Sequence, residues 1–228
     1  MGAIAGMARS HREPAMFLLD YVVSPHLPGA FRTTLPSGIP VLVRHVGPAD
    51  APRLKDGFRL ISSLARRRHF PGDDVKELGE EQLKLLAQVD QKSYCIWGAL
   101  NPAKPEEPGI GIARYRRIPE EPSAADVAIT VLDQYQGTGA GLLLHACLHF
   151  TAYQNHIRHF YYEVAGENER FIRHLKSLGA EHIGRAIGVT RLRMPVYKRA
   201  LSVPQYNASG FKFSQAMRKV TAGRAVAA

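Results

Sequence analysis

The sequence predicts a mixed α/β fold in one domain, and three observations carry that expectation. Runs of β-branched and aromatic residues alternate with stretches of helical periodicity. A glycine-rich turn, QGTGAG (136–141), joins one such strand directly to a long helix. An amphipathic segment, ENERFIRHLKSLGA, stops at Gly179, as a glycine-capped helix does. The order of elements is strand, two helices, three strands, helix, strand, helix and closing strands, which is the pattern of α/β layers.

Each element has its own signal. Residues 1–38 are rich in Gly, Pro and Ser and hold one apolar run, FLLDYVV, so they read as an extension to the domain. IPVLVRHV (39–46) is β-branched and reads as a strand. GPAD then starts a helix whose apolar positions Leu54, Phe58, Ile61 and Leu64 fall at helical spacing. After the loop PGDD, ELGEEQLKLLAQV repeats the helical pattern. SYCIWGALN (93–101) and GIGIARYRRI (109–118) are strands joined by the proline-rich turn NPAKPEEP. DVAITVL (126–132) is the strand that enters the glycine turn, and a helix over about 139–154 leaves it. RHFYYEVAG (158–166) is a further strand, and HIGRAIGVTRLRMPVY has the character of a closing hairpin. The organisation expected is an extension (1–38), one domain (39–200) and a basic C-terminal tail (201–228).

Composition excludes several classes. No apolar run approaches the roughly 20 residues of a membrane-spanning helix. The basic N-terminal stretch lacks a secretory apolar region, and MGAIAG does not place Ser or Thr as a myristoylation signal requires. A cytoplasmic address and no membrane partner are therefore expected. Cys95 and Cys147 have apolar neighbours and read as reduced, buried thiols. The formal net charge is +10, and residues 182–228 hold nine Lys or Arg with no Asp or Glu. Such a surface favours anionic partners, with a solvated tail as the plainer explanation.

The chemistry centres on QGTGAG. Gly137, Gly139 and Gly141 allow a tight turn and close approach of backbone to a ligand. A helix starting there directs unpaired N–H groups and the positive end of its dipole at the turn, which makes an anion site. It is not a P-loop, because Leu142 and Leu143 follow where Lys and Ser or Thr are needed. Nor is it the dinucleotide fingerprint, since the spacing is G-x-G-x-G and no acidic residue ends a following strand.

Gln136-x-x-Gly139-x-Gly141 after VAITVLDQY resembles the Q/R-x-x-G-x-G/A motif of the GNAT superfamily of acyl-CoA-dependent N-acyltransferases. Asn168 followed by FIRHLKSLGA is similar to the downstream part of that signature, and the order of elements corresponds over about residues 39–200. Within the superfamily, DGFRLISSLARRRHF, KELGEEQLKLLAQVDQKSYCIWGAL and ADVAITVLDQYQGTGAG resemble bacterial protein-lysine acetyltransferases. The resemblance implies a GNAT-like domain with a central mixed, mostly antiparallel sheet, splayed at the acyl-CoA site and flanked by helices. It implies acetyl-CoA as co-substrate, no metal, and a primary amine as acceptor, foremost a protein lysine. The backbone of Gln136, Gly137, Thr138, Gly139, Ala140 and Gly141 would cradle the diphosphate. Thr130, Val131 and Leu132 would flank the pantetheine arm, and backbone N–H groups there would stabilise the thioester oxyanion. Asn168 would sit near the pantetheine or cap the helix it opens.

Acyl transfer needs a neutral amine, and a lysine of pKa about 10.4 is deprotonated in only about one molecule in a few thousand at neutral pH. A general base is needed. Asp126, at the start of the central strand, stands where the resembling enzymes place an acidic residue, usually Glu. Strand alternation puts Asp126, Ala128 and Thr130 on one face and Val127, Ile129 and Val131 on the other. The shorter Asp favours proton removal through a bridging water. A second departure is Leu175, seven residues after Asn168, where many family members carry a Tyr that protonates the leaving thiolate. Tyr161 and Tyr162, one facing each side of their strand, are the substitutes at hand.

Other constellations carry less. His145 and His149 share a helix face but lack a third ligand, so they read as surface histidines. RRRH (66–69) reads as a solvated helix end, and Leu142, Leu143, Ala146, Cys147 and Phe150 as a core-facing stripe. The principal expectation is an acetyltransferase acting by direct attack in a ternary complex. The alternatives are transfer to a small amine (polyamine, amino acid or aminoglycoside) and a non-catalytic acyl-CoA-binding regulator, with nucleic acid as a less favoured partner of the tail. The sequence sets neither the acceptor nor the oligomeric state.

Overall fold

In a computed structural model, the structure describes residues 29–61, 89–186 and 188–226. FLLDYVV, RRRH and nearly all of the expected helix ELGEEQLKLLAQV lie outside them. The alternation of inward and outward side chains organises eight strands: β1 (Phe31–Thr34), β2 (Pro40–His45), β3 (Tyr94–Leu100), β4 (Gly111–Ile118), β5 (Glu121–Val131), β6 (His159–Ala165), β7 (Glu181–Ala186) and β8 (Val189–Pro195). They form one sheet in the order β1-β2-β3-β4-β5-β6-β8-β7. Every neighbouring pair is antiparallel except β5–β6, which is parallel. This is the mixed, mostly antiparallel sheet the sequence led us to expect, with four α-helices among the described residues: α1 (Ala51–Leu60), α2 (Ala140–Gln154), α3 (Glu169–Ser177) and α4 (Ala208–Val226).

Two cores follow from the two faces of the sheet. The larger gathers Trp97, Tyr115, Phe160, Tyr162 and Leu192 against Leu144, Leu148 and Leu175 of the helices. The Trp97 indole N–H donates to Thr151 Oγ1 at 2.9 Å, fixing β3 beneath α2. On the other face, Val46 and Ile96 form a small cluster with Leu54 of α1 and Ile112 of β4. Helix α3 ends as its glycine signal implies: Gly179 has φ +93°, the Gly179 N–H donates to the Lys176 carbonyl, and the Ala180 N–H donates to that of Leu175.

Three expectations are corrected. Strand β5 starts at Glu121, because Ile118 and Glu121 pair across a tight hairpin, so Asp126 lies inside the strand and not at its start. Residues 201–228 do not simply trail: within them α4 buries Phe213, Met217 and Val220, at helical spacing, against α2 and β1. Asn207 starts that helix, its Oδ1 accepting from the Gly210 N–H at 2.8 Å. The same helix overturns the reading of His145 and His149 as surface residues. They are 1% and 0% exposed, and the Phe213 ring of α4 lies 5.0 and 5.2 Å from their rings. Helix α2 is therefore enclosed between the sheet and α4, and its second face is as dry as its first.

Candidate active site

Strands β5 and β6 pair over only three positions, Ala124–His159, Ala125–Phe160 and Asp126–Tyr161. Beyond Asp126, β5 continues to pair with β4 as far as Val131, while β6 continues with β8. The sheet thus opens into a wedge, one edge of which is the backbone of residues 127–131. Thr130 and Val131 sit half-buried on that edge. Leu132 is buried beyond it, and its N–H is taken by the Ile110 carbonyl at 3.0 Å.

The glycine turn closes the wide end of the wedge. Gly137 (φ +77°) and Gly139 (φ +97°) hold left-handed backbone that side chains rarely adopt. A Cβ on Gly139 would stand 2.8 Å from Cδ of Pro36, whereas one on Gly137 would meet nothing within 4 Å. Gly139 is the N-cap of α2, with no side chain of its own to cap the helix and no acid in the first turn; the Ala140 N–H donates to Thr138 Oγ1 at 3.4 Å. No acid of the first turn offsets the positive end of the helix. Ala140 is buried in the core, and Gly141 packs beside Val131. Gln136 is exposed, and its amide donates to Asp133 Oδ1 at 2.8 Å across the turn. Thr138 Oγ1 donates to the Tyr135 carbonyl at 2.6 Å, and the Tyr135 hydroxyl, bonded to both Asn101 and Glu107, ties the turn to the β3–β4 connection. A helix start with no acid in its first turn, behind left-handed glycines and beside a strand edge left by the parting of β5 and β6, fits a diphosphate with an extended amide-bearing arm.

Asn168 lies at the far side, where its Oδ1 accepts from the Phe171 N–H at 3.4 Å as the N-cap of α3. Leu175 is fully buried in the core. Of the two tyrosines, Tyr162 is buried with its hydroxyl 2.7 Å from His145 Nε2, so it faces away from the wedge. Tyr161, the partner of Asp126 across β5–β6, donates to Glu121 Oε2 at 3.0 Å on the opposite face.

That opposite face carries the titratable groups. Val127, Ile129 and Val131 pack on the large core, while Asp126 is exposed on the side of α1. Partial withdrawal from water and then the nearby Glu163 push the Asp126 carboxyl above its usual range, against the pull of Arg114 and Arg116. Those two arginines project from the same face of β4: Arg116 is the register partner of Asp126, and Arg114 that of Ala128. A cavity of about 300 Å³ lies beside them under α1, lined by Arg44, Arg53, Leu54, Ile96, Arg114 and Thr130 among others. Arg44 is neutralised by Asp50 through bonds of 2.9 and 2.5 Å. Burial pushes Asp50 up, but the Arg44 bond, the Gly47 N–H and the surrounding charges outweigh it and hold the carboxyl low. Sequence reading passed over Arg114 and Arg116, although ARYRR alternates basic with buried residues at the period of a strand. Among the described residues no group of three or more His, Cys, Asp or Glu could hold a metal ion, and no helix is long and apolar enough to cross a membrane.

Comparison with known proteins agrees with this geometry. Residues 41–181 match the family described as Acetyltransferase (GNAT) domain. The acetyltransferase Pat of Mycolicibacterium smegmatis is 30% identical over 175 residues, 73% of this chain and 50% of that protein. Acetyltransferase PA5475 of Pseudomonas aeruginosa is 30% identical over 128 residues, 56% of this chain and 68% of its own. The chain thus spans half the length of the mycobacterial relative. Among solved structures, the GNAT domain of S. lividans PAT superposes with a TM-score of 0.66 at 24% identity, covering 73% of this chain and 96% of that one.

Proposed function

The chain belongs to the GNAT acetyltransferase domain family, and from that premise we propose that it transfers an acetyl group from acetyl-CoA to a protein lysine by direct attack in a ternary complex. The observation that carries the reading is the position of Asp126, a carboxylate on an open sheet face at the point where β5 and β6 separate. A side chain presented by another protein can reach that point, since no enclosing wall is needed for its backbone.

Acetyl-CoA supplies the activated acetyl thioester. The backbone of residues 136–141 holds its diphosphate at the start of α2, and the β5 edge at Thr130 and Val131 receives the pantetheine amides. With its N–H already bonded to Ile110, Leu132 contributes shape and not a donor. Asp126 accepts the proton of the lysine ammonium, through water where the shorter side chain falls short. Its raised pKa brings it nearer to that of the amine and strengthens it as a base. Asn168 acts by capping α3 and so shaping the edge of the wedge. Residues 39–200 form the catalytic unit, with β1 before it completing the sheet and α4 within 201–228 completing the core.

A second reading, a small primary amine as acceptor, is favoured by the cavity under α1. The test is incubation of the protein with labelled acetyl-CoA, a panel of lysine peptides and a panel of free amines. Label on peptide lysines is the expected result. Label confined to free amines would overturn the protein-lysine reading, and label on nothing would favour the non-catalytic alternative.

A further inference from the structure

Charge on the acceptor face is unbalanced. Of the four arginines lining the cavity, only Arg44 has an ion-paired carboxylate among the described residues, Asp50. The Arg53 guanidinium donates to the carbonyls of Glu107 and Pro105, which hold it in place without neutralising it. Arg114 and Arg116 form no ion pair and no side-chain hydrogen bond among the described residues, although Arg116 stands directly across from Asp126. Beyond the Arg44–Asp50 pair, Arg53, Arg114 and Arg116 therefore stand at the cavity with no ion pair among the described residues, and the carboxylate nearest Arg114 and Arg116 is Asp126, itself influenced by Glu163. The floor between them, Leu54, Phe58, Ile96 and Ile112, is apolar. Arg116 and Asp126 are exposed at the mouth, and Arg114 is half-buried just inside.

A cationic surface around the target amine would be repelled there. The ammonium of an isolated lysine meets two like charges within the strand pair that holds its base, and further basic residues would add to that cost. Acidic neighbours reverse it: guanidinium forks take carboxylates in two-bonded geometry. Because the charges stand at an open mouth and not at the bottom of the cavity, they meet the surface around a lysine and not a small engulfed acid.

We propose that the acceptor lysine is presented in an acidic segment, with Arg114 and Arg116 as the residues that select it. This rests on the protein-lysine reading above. The experiment uses the full chain, acetyl-CoA and three peptides of equal length whose single lysine is flanked by Glu, Ala or Arg. The Glu-flanked peptide is expected to exceed the Arg-flanked one at least tenfold in kcat/KM at low salt, with the ratio shrinking at 0.5 M NaCl as the charges are screened. R114Q/R116Q brings the ratio towards one, and R114K/R116K retains most of it. Equal kcat/KM for all three peptides, or a preference that survives in R114Q/R116Q, overturns the proposal while leaving lysine acetylation intact. Acetylation of none of the peptides, with free amines still modified, overturns the protein-lysine reading itself and this inference with it.

Discussion

Two histidines in the core make the stability of this domain depend on pH. His145 and His149 are enclosed between the sheet and α4. The Tyr197 N–H donates to His149 Nδ1 at 2.9 Å, so neutral His149 carries its proton on Nε2, 3.2 Å from His145 Nε2. That atom also lies 2.7 Å from the Tyr162 hydroxyl. A second proton is poorly placed on either ring: on His149 Nδ1 it would face the Tyr197 N–H, and on His145 Nε2 it would face the His149 N–H, with the Tyr162 hydroxyl as the one neighbouring acceptor. Burial pushes His149 down to about 3 and, with the His149 and His174 rings beside it, His145 well below the ordinary value. The sign follows from linkage. The folded pKa lies below the unfolded value of about 6.5, so the unfolded chain binds protons that the fold refuses, and stability falls as pH drops below 6.5. At pH 5 His149 alone costs about 2 kcal/mol, and His145 adds to the loss in the same direction, against the 5–15 kcal/mol available to a typical domain. Urea unfolding at pH 7.5 and pH 5 measures it. In His149→Asn, whose amide oxygen can still accept from Tyr197, the loss between the two pH values should shrink by about 2 kcal/mol relative to the parent. His159 and His174, also held low, contribute equally to both proteins and cancel in the difference. A variant whose acid-induced loss matches the parent within about 0.5 kcal/mol would show that these rings accept protons inside the fold, and the argument would fail.

Other outcomes are equally definite. Asp126→Ala should lower kcat/KM for a lysine acceptor by roughly 10²–10⁴-fold, with acetyl-CoA affinity unchanged and partial recovery in Asp126→Glu. Parental rates at neutral pH would remove Asp126 from the mechanism. Because its pKa is raised, the acid limb of the parental pH–rate profile should lie above the usual carboxylate range and vanish in Asp126→Ala. Gly139→Ala places a Cβ on Pro36 at a left-handed position, so calorimetry should show weakened acetyl-CoA binding and thermal unfolding a loss of about 1–3 kcal/mol. Phe213→Ala should cost about 3–5 kcal/mol in chemical unfolding, because its fully buried ring packs against both histidines. A cost below 1 kcal/mol would mean that α4 is not part of the core.

Much of the site was readable because its chemistry is local. A strand, three glycines and a helix start are contiguous in the chain, and left-handed φ at Gly137 and Gly139 is a property of the turn itself. The alternation that separates Asp126 and Thr130 from Val127, Ile129 and Val131 needs only the period of a strand. What resisted reading depends on partners distant in sequence. Arg116 faces Asp126 through register, and Leu132 loses its N–H to Ile110 for the same reason. Phe213, Met217 and Val220 did carry a helical period, but the basic residues around them masked it.

The sequence by itself determined the order of the elements between β2 and β8 among the described residues, the glycine turn at the start of α2 and a candidate base on the strand before it. Short-range sterics, hydrogen bonding and side-chain period are enough for that. Only the tertiary structure decided how far β5 and β6 pair, which arginines gather beside Asp126, and what covers the outer face of α2. Its histidines look like surface residues in the helix considered alone; they are core residues because α4, more than fifty residues further along the chain, excludes water from that face.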